Sequence, residues 1–170
     1  MSMQNEISEI PEKPFQLSAA GLKKVQEELT RYEDKMSAII PALYVAQAEN
    51  GGYINAPVVR CLSGVMGIPE SRINEVFKFY SMFNQKPVGR HHVQVCATLS
   101  CHLNGAEDLM EHLCRELKVR LDEVTEDGKF TVSRVECLGS CGTAPMMQIN
   151  DRYYENLTNE SAMTVLRSLK

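Results

Sequence analysis

VQVCATLSC at residues 93–101 and ECLGSCGTAP at residues 136–145 are the stretches whose reading decides the fold of this chain. Each carries two cysteines at a wide spacing, Cys96 with Cys101 and Cys137 with Cys141. The formula is C-x4-C, 35 intervening residues, then C-x3-C. HHVQVC (91–96) alternates in polarity and predicts a strand that ends at Cys96. EDGKFTVSRV (126–135) holds an Asp-Gly turn signal and then a second strand, just ahead of Cys137. Between them LNGAEDLMEHLCREL (103–117) is amphipathic, with Ala106, Leu109, Met110, Leu113 and Leu117 facing inward. In such a β-α-β unit the two parallel strands are neighbours or near-neighbours. Their outgoing loops then emerge at the same carboxyl edge, and four thiols distant in sequence can face one another.

Outward from this unit the patterns continue. PMMQIND (145–151) reads as a third strand and RYYENL (152–157) continues it as a hairpin. TNESAMTVLRSLK (158–170) is a closing helix with Thr158 as its cap. Upstream, the periodicity is helical. Leu22, Val25, Leu29 and Tyr32 recur behind the N-cap candidate Ser18. A second helix spans Ser37 to Glu49, stops at the Asn-Gly-Gly of residues 50–52, and is apolar nearly all round, so it should be central. Pro41 lies near the limit of what its first turn tolerates. A third follows Asn55, carries Val58, Leu62 and Val65, and ends at Gly67. A fourth begins near Pro69 and aligns Ile73, Val76, Phe77 and Tyr80. Four helices with short links make a small antiparallel bundle. The character changes at NQKPVGR (84–90). The expected organisation is a loose tail over 1–16, a helical bundle over 17–86 and an α/β-type domain over 87–170. In FKFYSMF (77–83), Phe79, Met82 and Phe83 are expected to pack internally rather than dock a partner.

The chain has 170 residues, enough for one medium domain or two small ones, and its 44% hydrophobic content suffices for a core. A net charge of −4 argues against a nucleic-acid surface. No run of 18 apolar residues exists to span a membrane. The start MSMQNEISEIPEKP (1–14) is acidic and polar and lacks the character of a secretory or transit leader, so a cytoplasmic setting is expected. In a reducing compartment six cysteines point to metal binding or redox chemistry rather than disulfides. Cys61 and Cys114 lie in helical patterns and read as small buried hydrophobes, Cys114 sharing a face with Met110 and Leu117. The other four sit beside Gly, Ser, Thr and Pro at strand ends.

Structural zinc sites favour C-x2-C knuckles, because two thiolates must approach one small tetrahedral ion. Wider pairs suit a [2Fe–2S] cluster, in which each of two irons takes two thiolates. A thioredoxin-type dithiol would favour C-x-x-C at a helix start, which is absent. Spacing therefore ranks the cluster ahead of zinc and of thiol–disulfide chemistry and leaves all three open. Ser100, Gly139, Ser140 and Gly142 leave backbone N–H groups accessible to sulfur, and such bonds tune a cluster. His102, beside Cys101, is a weak extra-ligand candidate. His91 and His92 read as a strand start and a solvated edge, and His112 as the exposed side of its helix. No G-x-G-x-x-G or P-loop is present to bind a nucleotide.

VCATLSCHLNGAEDL and VECLGSCGTAPMMQIND, which contain C-x4-C-H-x-x-G and C-L-G-x-C-x-x-A-P, closely resemble the small [2Fe–2S] subunit of respiratory NADH:quinone oxidoreductase, known in bacteria as the E subunit. The resemblance extends upstream through NGGYINAPVVRCLSGVMGIPESRINEVFKFYSMFNQKPVGRH and covers residues 17–170. It implies a thioredoxin-like ferredoxin domain behind the helical bundle. It implies that Cys96 and Cys101 ligate one iron of a single [2Fe–2S] cluster, and Cys137 and Cys141 the other. It also implies a partner, the flavoprotein subunit that binds NADH and FMN, alongside other peripheral-arm subunits on the cytoplasmic side of a membrane. Similar subunits serve NAD-linked hydrogenases and formate dehydrogenases, and the chain alone does not separate these assemblies. Pro145 stands where thioredoxin-like folds often place a cis-proline, an ordinary trans bond being the alternative.

Overall fold

The computed structural model describes residues 14–169, so most of the expected tail (1–13) lies outside the described residues. The chain divides between Pro87 and Val88 into two compact units.

The first unit is helical: α1 (Ala19–Arg31), α2 (Ile39–Glu49), α3 (Ala56–Met66) and α4 (Glu70–Phe79), with a short 3-10 turn at Lys35–Ala38 leading into α2. That turn sets the start of α2 two residues later than the apolar pattern suggests and leaves Pro41 in the first turn, where its missing N–H costs nothing. Capping follows the sequence signals. The Ser18 hydroxyl accepts from the Gly21 N–H at 3.0 Å, the Asn55 side chain accepts from the Val58 N–H at 3.3 Å, and α3 closes on Gly67 in the left-handed region, φ 60°. α2 is the central element: Ile39, Ala42, Leu43 and Ala46 are buried among Val25, Val58, Leu62, Ile73 and Phe77. The helical faces are narrower than expected. Tyr32 and Tyr80 cap their helices in extended conformation and stay exposed, and Val65 is only half-buried, its place taken by Val59 and Met66. Phe83 is buried with its ring 5.2 Å from that of Tyr44, and Met82 packs on the same core. Phe79 departs from the expected internal packing: it is 79% exposed and touches Tyr80 edge-on.

The second unit is a four-stranded mixed sheet with helices: β1 (His91–Cys96), α5 (Leu99–Leu103), α6 (Ala106–Leu117), β2 (Phe130–Val135), β3 (Met147–Ile149), β4 (Arg152–Tyr154) and α7 (Asn159–Ser168). Strand order is β2-β1-β3-β4. β1 and β2 are parallel, from His91 opposite Phe130 to Cys96 opposite Val135, and the other two pairings are antiparallel. The buried face of α6 (Ala106, Leu109, Met110, Leu113) packs with Val93, Val95, Val132 and Met147 of the strands and Leu166 of α7. α7 begins on a capping box between Thr158 and Ser161. Gly89, just before β1, runs so close to the next strand that a Cβ would sit 2.5 Å from the Phe130 carbonyl carbon, and its N–H donates to the Thr131 hydroxyl at 2.8 Å.

The second unit departs from its sequence pattern at two points. The helix read across 103–117 starts only at Ala106, behind its N-cap Gly105 at φ 93°, and a separate five-residue helix before it, α5, capped by Asn104, carries Cys101. His92 is not a solvated edge residue, because β1 is an inner strand. Its Nε2 shares a 2.8 Å hydrogen bond with the Ser133 hydroxyl, and burial holds its pKa below the ordinary histidine value.

Candidate metal centre

The parallel ladder brings the two cysteine segments together. Cys96 is the last residue of β1 and stands opposite Val135, the last of β2; Ala97 extends the ladder by donating to the Val135 carbonyl at 3.0 Å. Cys137 follows two residues later at the same edge. Cys96 and Cys101 are buried, whereas Cys137 and Cys141 are exposed. Cys101 belongs to α5 rather than to a loop, and Cys141 opens a short 3-10 turn, Cys141–Thr143. The Ser100 hydroxyl donates to the Cys141 carbonyl at 3.3 Å and ties the first segment to the second.

Donors converge on the sulfurs. The Gly139 N–H points at Cys137 Sγ, 3.3 Å away, a geometry for which Gly139 adopts φ 77°. At Cys96, burial opposes ionisation, but the Thr98 hydroxyl, the Thr98 and Leu138 N–H groups and the Cys101 thiol outweigh it and bring the pKa down. At Cys101, burial comes first; the Cys96 and Cys141 sulfurs add to it, the Met146 N–H opposes it, and the thiol is pushed up to about 11. The opposite shifts at Cys96 and Cys101 place the proton on Cys101 and the more acidic thiol at Cys96. Among the described residues no three His, Cys, Asp or Glu side chains converge on one ion-sized point. The donor set is two cysteine pairs with N–H donors at three of the four sulfurs, which fits a binuclear thiolate-bound group better than a single tetrahedral ion.

The remaining candidates fall away from the sulfurs. His102 Nδ1 lies 3.8 Å from a Glu107 carboxylate oxygen that also accepts from Arg134 at 2.9 Å. His91 stacks near Phe130, and His112 is within 3.1 Å of an Arg115 nitrogen. Cys61 and Cys114 are half-buried rather than fully buried, Cys114 against the core of the second unit.

Residues the sequence did not single out also hold the site. Tyr153 donates from its phenol to the Leu138 carbonyl at 2.9 Å. Glu155 accepts from the Thr143 hydroxyl at 2.6 Å and from the Ser140 hydroxyl. Their i,i+2 spacing along and just beyond β4 places both on one side of the strand, which is the signal in the sequence that could have found them. The Ala144–Pro145 peptide bond is cis.

Residues 25–170 match the family model described as thioredoxin-like [2Fe-2S] ferredoxin. The chain is 42% identical over 158 residues to the E subunit of NADH-quinone oxidoreductase from Rickettsia conorii, covering 92% of this chain and 95% of that one. It is 44% identical to the same-named protein of Rickettsia felis, over 86% and 89% of the two chains. It is 40% identical to the mitochondrial NADH dehydrogenase [ubiquinone] flavoprotein 2 of Dictyostelium discoideum, over 92% and 64%. In fold it resembles an NAD+-reducing [NiFe]-hydrogenase in the air-oxidized state, with a TM-score of 0.63 and 24% identity, across 74% of this chain and 22% of that longer one.

Proposed function

Because the chain belongs to the thioredoxin-like [2Fe–2S] ferredoxin family, we propose that it is the E subunit of an NADH:quinone oxidoreductase, an electron-transfer component of that enzyme complex. The observation that carries this reading is the placement of Cys96 and Cys137 at one carboxyl edge, fixed by the Cys96–Val135 register, each with a second cysteine four or five residues on. Cys96 and Cys101 hold one iron of a [2Fe–2S] cluster and Cys137 and Cys141 the other. The bound cluster supplies a centre that takes and releases single electrons.

What this chain's residues contribute is ligation, partial burial and polarity. The Thr98, Leu138, Gly139 and Met146 N–H groups offset the charge of four thiolates. Burial shields the Cys96–Cys101 side and leaves the Cys137–Cys141 side open to a redox partner. No nucleophile or proton shuttle is needed. The partner is a flavoprotein subunit carrying NADH and FMN. Curated relatives of nearly the same length, 40–46% identical and named as this component of the complex, support the assignment. The chain sits peripherally, on the cytoplasmic face of the membrane, with no direct contact to nucleic acid; none of the described helices is long and apolar enough to cross a membrane. The helices before residue 87 form an antiparallel bundle, and the cluster domain begins there.

The likeness to the NAD+-reducing hydrogenase favours one alternative, the equivalent subunit of a soluble NAD-linked hydrogenase or formate dehydrogenase. It differs in assembly and not in the chemistry of this chain. Anaerobic reconstitution decides the cluster: two irons and two sulfides per chain, a reddish-brown solution and an EPR signal on reduction are expected. Colourless protein holding one zinc after iron-replete expression would overturn it. Co-purification of the tagged chain with flavoprotein and quinone-reducing subunits, rather than hydrogenase or formate dehydrogenase subunits, decides the assembly.

A further inference from the structure

From the bonds that residues 153–156, at the end of β4 and just beyond it, make to the second cysteine segment, we propose that Glu155 is a positioning residue for Cys141 whose negative charge also lowers the reduction potential of the cluster. The inference rests on the reading of the four cysteines as cluster ligands. Cys141 lies between Ser140 and Thr143, and the side chains of both donate to the one Glu155 carboxylate. The two hydroxyl oxygens lie 2.7 Å apart, and Thr143 Oγ1 is 3.1 Å from the Ser140 carbonyl oxygen, an alternative acceptor for the one Thr143 proton, so these groups and the carboxylate form one compact cluster. The Asn156 N–H donates to the Thr143 carbonyl at 2.8 Å, so the residue after Glu155 grips the same turn. Two positions earlier Tyr153 holds the Leu138 carbonyl, beside Cys137. The segment 153–156 therefore fixes both ends of the C-x3-C segment, which has no regular secondary structure of its own except the 3-10 turn.

Holding a turn needs hydrogen-bond acceptors, and a neutral amide would serve. The carboxylate adds charge. The Ser140 and Thr143 hydroxyls hold its pKa below the ordinary glutamate value, so it is anionic at neutral pH. Reduction adds one electron, and hence one negative charge, to a site already surrounded by four thiolates. A fixed anion hydrogen-bonded to the side chains of Ser140 and Thr143, on either side of Cys141 in the chain, disfavours that addition. The exposed setting of Glu155 screens this effect by solvent, so it tunes the potential rather than setting it.

The test compares Glu155→Gln and Glu155→Ala in the full chain, with Glu160→Gln as a control carboxylate on α7. Without iron, amide hydrogen exchange across 138–143 is measured first. Faster exchange in Glu155→Ala but not in Glu155→Gln is expected, and unchanged exchange in Glu155→Ala overturns the positioning role. This arm stands whether or not a cluster binds, so its failure is distinct from a failure of the wild-type chain to take up iron and sulfide. With the cluster reconstituted, an EPR-monitored redox titration should place the midpoint of Glu155→Gln above wild type and that of Glu160→Gln beside it, with the EPR line shape of Glu155→Gln unchanged. A Glu155→Gln midpoint equal to wild type overturns the charge role. Iron loss to a chelator should be faster in Glu155→Ala and near wild type in Glu155→Gln.

Discussion

Cys96 stands directly opposite Val135 in the parallel ladder of β1 and β2, and this one register brings Cys137 to the edge where Cys96 ends. The ladder is held by backbone bonds and by the packing of α6, so replacing a thiol leaves it in place. Cys137→Ala should therefore give a folded chain with no cluster, or one with a badly distorted spectrum. Cys114→Ala, on α6, should leave the visible and EPR spectra intact and cost about 1 kcal/mol of stability from lost packing. Iron content, EPR and a urea melt on both variants check this. Loss of the cluster in Cys114→Ala would mean that the ligand set is misassigned.

Thiol labelling of the iron-free chain should divide the cysteines. Exposed Cys137 and Cys141 should react with iodoacetamide first at pH 8, and buried Cys101 last. Cys101 is also held in its unreactive thiol form, with its pKa raised from 9.0 to about 11. The sign for stability follows from the same shift. An unfolded chain gives up this proton near pH 9 and the folded chain near 11, so the Cys101 contribution is present below about 9 and is lost as pH climbs through about 11. Peptide mass spectrometry after timed labelling measures the first effect, and urea melts of the iron-free chain at rising pH the second. Equal labelling of Cys101 and Cys141 in the native chain would contradict the burial difference.

Much of this arrangement is legible in the sequence because it is written in local rules. Ser18, Asn55, Gly67 and Thr158 cap their helices as their chemistry dictates. The Asp127–Gly128 turn and the alternation of β1 are equally local. What the sequence conceals depends on partners distant along the chain or on elements too short to show a period. LSCHL makes little more than one helical turn, so α5 leaves no repeating pattern, and its Leu99 and Leu103 are about three-quarters exposed. His92 reads as a surface residue until Ser133 arrives from β2, 41 residues away. Tyr153 and Glu155 are ordinary hairpin residues until the hairpin folds back over the cysteine segment. Cys96, Cys101, Cys137 and Cys141 could be picked out because their spacing is a chemical signature; the residues that orient them carry none.

Gly89→Ala tests the close approach before β1. An added methyl group would meet the backbone of Phe130 at 2.5–2.8 Å, and backbone cannot swing away as a side chain tip can. The segment must shift, and the bond from the Gly89 N–H to Thr131 is stretched with it. A loss of about 1–3 kcal/mol is expected from this overpacking. Cluster spectra should survive below the lowered unfolding temperature, because Gly89 is at the far end of β1 from Cys96. A melt superimposable on wild type would show that the strands are not so tightly apposed.

In the helical unit Glu49, at the end of α2, accepts from both the N–H and the hydroxyl of Ser18, the cap of α1, and so joins the two helices end to end. These two bonds, the hydroxyl's first, hold the Glu49 pKa below its ordinary value of 4.5. A depressed carboxyl pKa stabilises the folded state above the unfolded value, and the contribution is lost as pH falls through the folded value. The carboxylate is exposed, so the contribution is below about 1 kcal/mol. Glu49→Gln should narrow the stability difference between pH 6 and pH 3 relative to wild type. Gly21→Ala reaches the same contact from the other side. Alanine in a helix interior ordinarily stabilises by about 0.5–1 kcal/mol over glycine. Here its Cβ would sit 2.3 Å from Glu49 Oε1, so the carboxylate must release Ser18 to make room. Gly21→Ala should therefore gain little or no net stability at pH 6 and show the same flattened acid response as Glu49→Gln. The double variant should be no flatter than either single one. Urea melts of all four chains at pH 3 and pH 6 measure this, and an acid response in Gly21→Ala as steep as wild type would show that Glu49 and Ser18 stay joined around the methyl group.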